Sequence, residues 1–120
     1  MRDYRLTEAE ENLAKLIWLG EPIKSPDLVK LCQEEFDWKK STTYTMLKRL
    51  EDKKIFTNNK SMVTSLIKEE EFYSEQSKIF VEEKFQGSLP RFIAAFTRKN
   101  KLSPKEVKEL EKLINEHKEG

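Results

Sequence analysis

Between residues 54 and 67 the hydrophobic period of the chain switches from helical to strand-like, and then switches back. Ile55-Phe56-Thr57 and Met62-Val63-Thr64-Ser65-Leu66 are short β-branched runs separated by Asn58-Asn59. β-Branched and aromatic side chains suit a pleated, half-buried surface, and Asn tolerates the left-handed backbone of a tight turn. The segment predicts one small hairpin, turning at Asn58-Asn59. The rest of the 120 residues read as helix, so the chain is restricted to a mainly α fold with a single hairpin in its middle.

Each helix carries its own start signal. Thr7-Glu8-Ala9-Glu10 is a capping box, followed by Ala9, Leu13, Leu16 and Ile17 at helical spacing and by Gly20 as the residue just past the end. Glu21-Pro22 is a turn. Ser25-Pro26-Asp27 restarts the chain with Ser25 at the N-cap and Pro26 at N1, and Leu28, Leu31, Cys32 and Phe36 form the apolar face. After a break at Asp37-Trp38 a third helix covers about 40–53. Beyond the hairpin, Glu69-Glu70-Glu71 opens a long helix to Phe85, and Gly87 ends it. Ser88-Leu89-Pro90 starts another to Lys99, and Ser103-Pro104-Lys105-Glu106 is a second capping box opening the last, with Val107, Leu110, Leu113 and Ile114. Three helices followed by a two-stranded wing are the order of a winged helix-turn-helix, expected over residues 1–67. A three-helix region follows over 68–120.

The third helix is written oddly for a helix. Ser41, Thr42, Thr43, Tyr44 and Thr45 fill its first turns, although hydroxyl and β-branched residues are mediocre helix formers and a single one suffices for a cap. At 100° per residue, Thr43, Met46, Leu47 and Leu50 fall between about 140° and 240° from Ser41, a buried face. Ser41, Tyr44, Thr45 and Lys48 fall on the opposite face, flanked by Thr42 and Arg49. Hydroxyls exchange hydrogen bonds with base edges, and a Thr methyl meets the thymine methyl. In a winged helix-turn-helix this helix enters the major groove. Ser41, Thr42, Tyr44 and Thr45 are therefore the candidates for base contact, and Lys39, Lys40, Lys48, Arg49 and Lys60 for phosphates. Charge agrees: residues 1–37 carry net −4, residues 38–67 net +5 and residues 68–120 net 0, although the whole chain carries only +1. That asymmetry is the one expected of a face that meets an anion such as nucleic acid.

The helical region after the wing holds more apolar surface than about fifty residues bury alone. Phe72, Tyr73, Ile79 and Phe80 share one face of its first helix, whereas Val81 and Phe85 point the other way, and Leu89, Phe92, Ile93 and Phe96 add a stripe on the next. A symmetric partner would cover them, and the alternative is packing back onto the winged helix within one subunit. The candidate dimer interface is Phe72, Tyr73, Ile79, Phe80, Phe85, Phe92, Phe96, Leu110 and Leu113.

Catalytic chemistry finds little support. His117 is the single histidine and Cys32 the single cysteine, so an intrachain disulfide or a multi-cysteine metal site is excluded. Glycines number three, too few for a phosphate-binding loop. The acidic runs 69–71 and 82–83 suit a helix start and a solvated face. No enzyme activity, cofactor or metal is expected. The opening MRDYRLTEAEE is not a signal peptide and no apolar run is long enough to insert in a membrane, so a cytoplasmic location is expected.

LTEAEENLAKLIW, SPDLVKLC and WKKSTTYTMLKRLEDK resemble the penicillinase repressor family (the BlaI, MecI and CopY type) of bacterial winged-helix transcriptional regulators. Leu6, Thr7, Ala9, Glu10 and Trp18 match the first part of its pattern, and Trp38, Thr42, Thr43, Thr45, Leu47, Arg49, Leu50 and Lys53 the second. The resemblance implies a homodimeric repressor on a dyad-symmetric DNA operator, relieved by a signal that the sequence does not name. Three departures stand out. The family's Gly after the matched Lys is Lys54, and the wing is short with Lys60 its one cation. The paired cysteines of the copper-responsive branch are absent. Proteolysis at an Asn-Phe bond relieves the penicillinase-type branch through a regulatory protease or sensor, and the corresponding bond here is Ala95-Phe96. The competing expectation is a winged-helix module that binds protein without sequence-specific DNA contact, which would show exposed Leu or Phe on the third helix.

Overall fold

A computed structural model describes residues 1–119 of the chain. The elements run α1 (Glu8–Gly20), β1 (Ile23–Lys24), α2 (Ser25–Phe36), α3 (Lys40–Asp52), β2 (Phe56–Asn59), β3 (Met62–Ser65), α4 (Glu69–Phe85), α5 (Leu89–Thr97) and α6 (Pro104–Glu119). The fold is mainly α, a winged helix-turn-helix followed by further helices. Two compact units divide it, Met1–Ser77 and Lys78–Gly120. The boundary expected at 67/68 thus lies earlier than the division between units, which falls within α4. Gly120, the end of the expected second region, lies outside the described residues.

The capping box of α1 forms in full: Thr7 Oγ1 accepts from the Glu10 N–H at 3.2 Å while Glu10 Oε1 accepts from the Thr7 N–H at 2.9 Å. Ser103 and Glu106 repeat it at α6, at 3.1 and 2.9 Å. Three local expectations are corrected. Gly20 is the last helical residue, with no left-handed backbone, and the chain leaves α1 through an extended Glu21 ahead of Pro22. Ser25 is the first helical residue of α2 and caps nothing; the N-cap is Lys24. The hairpin turns at Lys60-Ser61, where φ is +52° and +65°, while Asn58 and Asn59 lie in β2. A two-residue hairpin loop needs left-handed backbone at both positions, and the pairing of Asn59 with Met62 leaves only Lys60 and Ser61 to supply it.

The sheet has a strand beyond the expected pair. Ile23 and Lys24 pair antiparallel with Val63 and Met62, making the order β1-β3-β2. The core of the first unit lies between this sheet and the helices: Leu13, Ala14 and Ile17 of α1, Leu28 and Cys32 of α2, Leu47 and Leu50 of α3, with Ile55, Phe56, Val63, Ile67 and Phe72. Trp18 closes one side, its ring 5.2 Å from Phe56 and 5.3 Å from Phe72, with its indole N–H donating to the Ile67 carbonyl at 3.0 Å. Phe72 is therefore an interior residue of the first unit, fully buried by its own chain, and the expectation that it faces a second subunit is corrected. Tyr73 beside it donates to Glu11 Oε1 at 3.1 Å. Burial and that carboxylate push its phenol up to about 12.

Among the described residues no helix is long and apolar enough to cross a membrane, and no group of three or more His, Cys, Asp or Glu is placed to hold a metal ion.

Candidate functional site

The inner face of α3 is fixed by burial. Thr43, Leu47 and Leu50 are each 1% exposed or less, and Met46 is half-buried beside them. Helical geometry then turns Ser41, Thr45, Lys48 and Arg49 to the outside, where all four are exposed; Thr42 is half-buried at the flank. Lys39 and Lys40 stand exposed at the start of the helix. None of the hydroxyls caps it, because the N-cap residue is Lys39 and no side chain makes the cap hydrogen bond. The hydroxyls of Ser41 and Thr45 are thus spent neither on capping nor on the core.

Tyr44 departs from that pattern. Its ring is half-buried against the core and its hydroxyl donates to Ser25 Oγ at 3.3 Å. Ser25 itself is 3% exposed. Sequence reasoning missed this residue as part of the site, since Ser before Pro is an ordinary cap signal and its partner lies on another helix.

Lys48 pairs with Asp52 one turn on, at 3.1 Å. The hydrogen bond and charge of that carboxylate hold the Lys48 ammonium above the usual lysine range, so it is a cation at any physiological pH. The far end of α3 is tied to α1. Lys53 Nζ lies 3.0 Å from both oxygens of the buried Glu10 carboxylate and also donates to the Arg5 carbonyl. Burial pushes the Glu10 carboxyl up, but the Thr7 hydrogen bonds and Lys53 together outweigh it and hold the group below its usual value. Lys54 follows with φ +65°, and its carbonyl accepts from Arg2 Nε at 2.8 Å. A left-handed residue is where glycine is favoured, which gives a physical reason for the family's Gly at the position that is Lys here. Lys60 sits at the tip of the wing, exposed, in the hairpin turn.

In the second unit the helices close poorly over themselves. Neither α5 nor α6 contributes a buried residue. Phe92 is the hub of an aromatic group, its ring 5.8 Å from Phe80, 5.4 Å from Phe85 and 6.4 Å from Phe96. Phe80 and Phe96 are about half exposed, Leu113 is 61% exposed, and Ile79, Phe85 and Leu110 are half-buried. An apolar groove of about 290 Å³ opens between α5 and α6, lined by Phe92, Ile93, Phe96, Leu102, Leu110 and Leu113 among others. Ala95 and Phe96 are both exposed, and the bond between them lies inside α5.

The chain is similar to known proteins along nearly its whole length. The sequence profile of the penicillinase repressor family matches residues 6–116. The methicillin resistance regulatory protein MecI of Staphylococcus aureus (strain N315) is 25% identical over 118 residues, covering 95% of this chain and 96% of its own. A penicillinase repressor of Bacillus licheniformis is 27% identical over 118 residues, covering 95% and 92%. A penicillinase repressor of Staphylococcus aureus is 24% identical over 119 residues, covering 96% and 94%. With all but the ends of the sequence inside the match, the chain belongs to the penicillinase repressor family.

Proposed function

We propose that the chain is a DNA-binding transcriptional repressor that works as a homodimer in the cytoplasm, each subunit laying α3 in the major groove of a dyad-symmetric operator. The observation that carries this reading is the exposed face of α3: Ser41 and Thr45 with Lys48 and Arg49, held outward because Thr43, Leu47 and Leu50 are locked in the core. A protein-binding version of the fold would present apolar side chains there, and this one presents hydroxyls and cations. Ser41, Thr42 and Thr45 read base edges, while Lys39, Lys40, Lys48, Arg49 and Lys60 supply the phosphate contacts that make binding salt-dependent.

A second copy covers the apolar surface of α5 and α6, and the two α3 helices then address grooves about one helical turn, ~34 Å, apart. Ile79, Phe80, Phe85, Phe92, Phe96, Leu110 and Leu113 form that contact, with the half-buried Tyr73 at its margin. Relief of repression runs through the dimer. A regulatory protease cutting at Ala95-Phe96 would detach α6, though α5 must first open locally, because a protease takes an extended substrate.

Fluorescence anisotropy against the chain's own upstream DNA and a scrambled duplex, over a salt series, tests the reading. Strong preference for the upstream DNA with a steep salt slope is expected. Thr45→Ala should erode the preference, whereas Lys48→Ala should weaken both duplexes alike and flatten the slope by about one. Equal, weak binding to both duplexes by the unaltered protein would remove the operator-binding reading.

A further inference from the structure

Ser25 is buried, sits at the start of a helix, and does not cap it. Its polar groups are used elsewhere. The Ser25 N–H donates to the carbonyl of Ser61 in the hairpin turn at 2.8 Å, and Ser25 Oγ accepts from the Tyr44 hydroxyl in the second turn of α3 at 3.3 Å. The two residues before it continue the link, since Ile23 and Lys24 pair with Val63 and Met62 on the wing. Wing tip, start of α2 and recognition helix therefore converge on one serine.

We infer that Ser25 is a positioning residue, joining the wing tip to α3 so that Lys60 and the exposed face of the helix meet one duplex together. This rests on the DNA-binding reading above. Tyr44 then works inward: its hydroxyl orients Ser25 and takes no part in base contact. The turn needs such an anchor. Lys60 and Ser61 are both left-handed without being glycine, a conformation that costs free energy in any L-residue with a Cβ and persists when neighbours hold it. The hydrogen bond from the Ser25 N–H to the Ser61 carbonyl and the pairing of β1 supply that hold. The Tyr44–Ser25 bond is long for two hydroxyls, so its removal should shift geometry without unfolding the unit.

Operator binding by Ser25→Ala, Tyr44→Phe, Lys60→Ala and their combinations tests this, with thermal melting to follow folding. Ser25→Ala and Tyr44→Phe should each weaken binding to the upstream DNA by about fivefold, and the double variant by no more, because both remove one bond. Lys60→Ala should lower the salt slope by about one in the unaltered protein and change it little once Ser25 or Tyr44 is altered. Tyr44→Phe keeps the ring in place, so it reads the same bond if Ser25→Ala fails to fold. Additive losses, or an undiminished Lys60→Ala effect in the altered backgrounds, would overturn the inference. So would a loss of preference at one base pair in Tyr44→Phe with Ser25→Ala silent, which would make Tyr44 a base contact. If the unaltered protein shows no preference for any duplex, the DNA-binding reading fails first, and this inference with it.

Discussion

Phe72 and Phe96 are the same side chain placed in regions with different needs. Phe72 is fully buried within one chain, 5.4 Å from Tyr4 and 5.3 Å from Trp18, whereas Phe96 is 48% exposed beside an open groove. Around Phe72, three helices, a sheet and the first turns of α4 converge on one interior. Around Phe96 there are two helices, neither with a buried residue. Fully burying a Phe or Leu contributes about 1.5–3 kcal/mol, and the first unit collects that contribution repeatedly while the second forgoes most of it. Under the proposed function, the difference would separate the unit that carries the reading helix from one whose apolar surface is left for a second copy. A repressor relieved by loss of its dimer would be built this way.

Breaking the first interior should have the largest effect. Phe72→Ala is expected to destabilise the first unit by about 3–5 kcal/mol, read as a lower urea midpoint, with little effect on self-association of whatever remains folded. Phe96→Glu reverses the pattern. It should leave the fluorescence and urea transition of the first unit in place and cost the dimer about 3 kcal/mol, seen as a fall in operator affinity of about a hundredfold. A Phe96→Glu protein that stayed dimeric would move the pairing surface elsewhere.

The Glu10–Lys53 pair sharpens the account of the first unit. Glu10→Gln leaves Lys53 facing a neutral amide in a mostly buried site and should cost about 3 kcal/mol at neutral pH. The pH dependence follows from the depressed carboxyl. Folded Glu10 releases its proton more readily than unfolded Glu10, so its contribution is complete above the usual carboxylate range, near pH 4.3, and is lost as pH falls through the folded value. Urea titrations from pH 6 down to 3 should show this acid loss in the unaltered protein and a shallower one in Glu10→Gln. The smallest effect is expected at Lys54, whose φ of +65° carries a penalty that glycine lacks. Lys54→Gly should stabilise the first unit by about 1 kcal/mol, a rise of a few degrees in its melting temperature.

What the sequence disclosed follows the range of the forces involved. The capping boxes at Thr7–Glu10 and Ser103–Glu106 and the ends of α3 and α4 are local events within one or two turns, and they are legible as strings. The buried and exposed faces of α3 were legible except at Tyr44. Helical period alone separates Leu47 and Leu50 from Ser41 and Thr45, but it also placed Tyr44 outward, where the structure has it half-buried and bonded to Ser25. Apart from the end of α1 at Gly20, the errors sit where a distant partner decides. Ser25 looked like a cap until Tyr44 and Ser61 claimed its groups. Asn58-Asn59 carried the stronger turn chemistry, yet the register of β2 on β3 placed the turn at Lys60-Ser61. Two-residue β1 is too short to leave a period. Phe72 and Phe80 lie on one face of α4, and periodicity has no means of showing that the first meets Trp18 while the second stays half exposed.

The proposal that the first unit reads DNA and the second pairs with another copy is tested most directly by sedimentation equilibrium of the full chain, alone and with the upstream duplex. A reversible dimer of the 14.3 kDa chain, two chains on each duplex, and operator affinity that falls when dilution breaks the dimer are expected. A chain that sediments as a monomer at all concentrations and binds the duplex one to one with undiminished preference would contradict it.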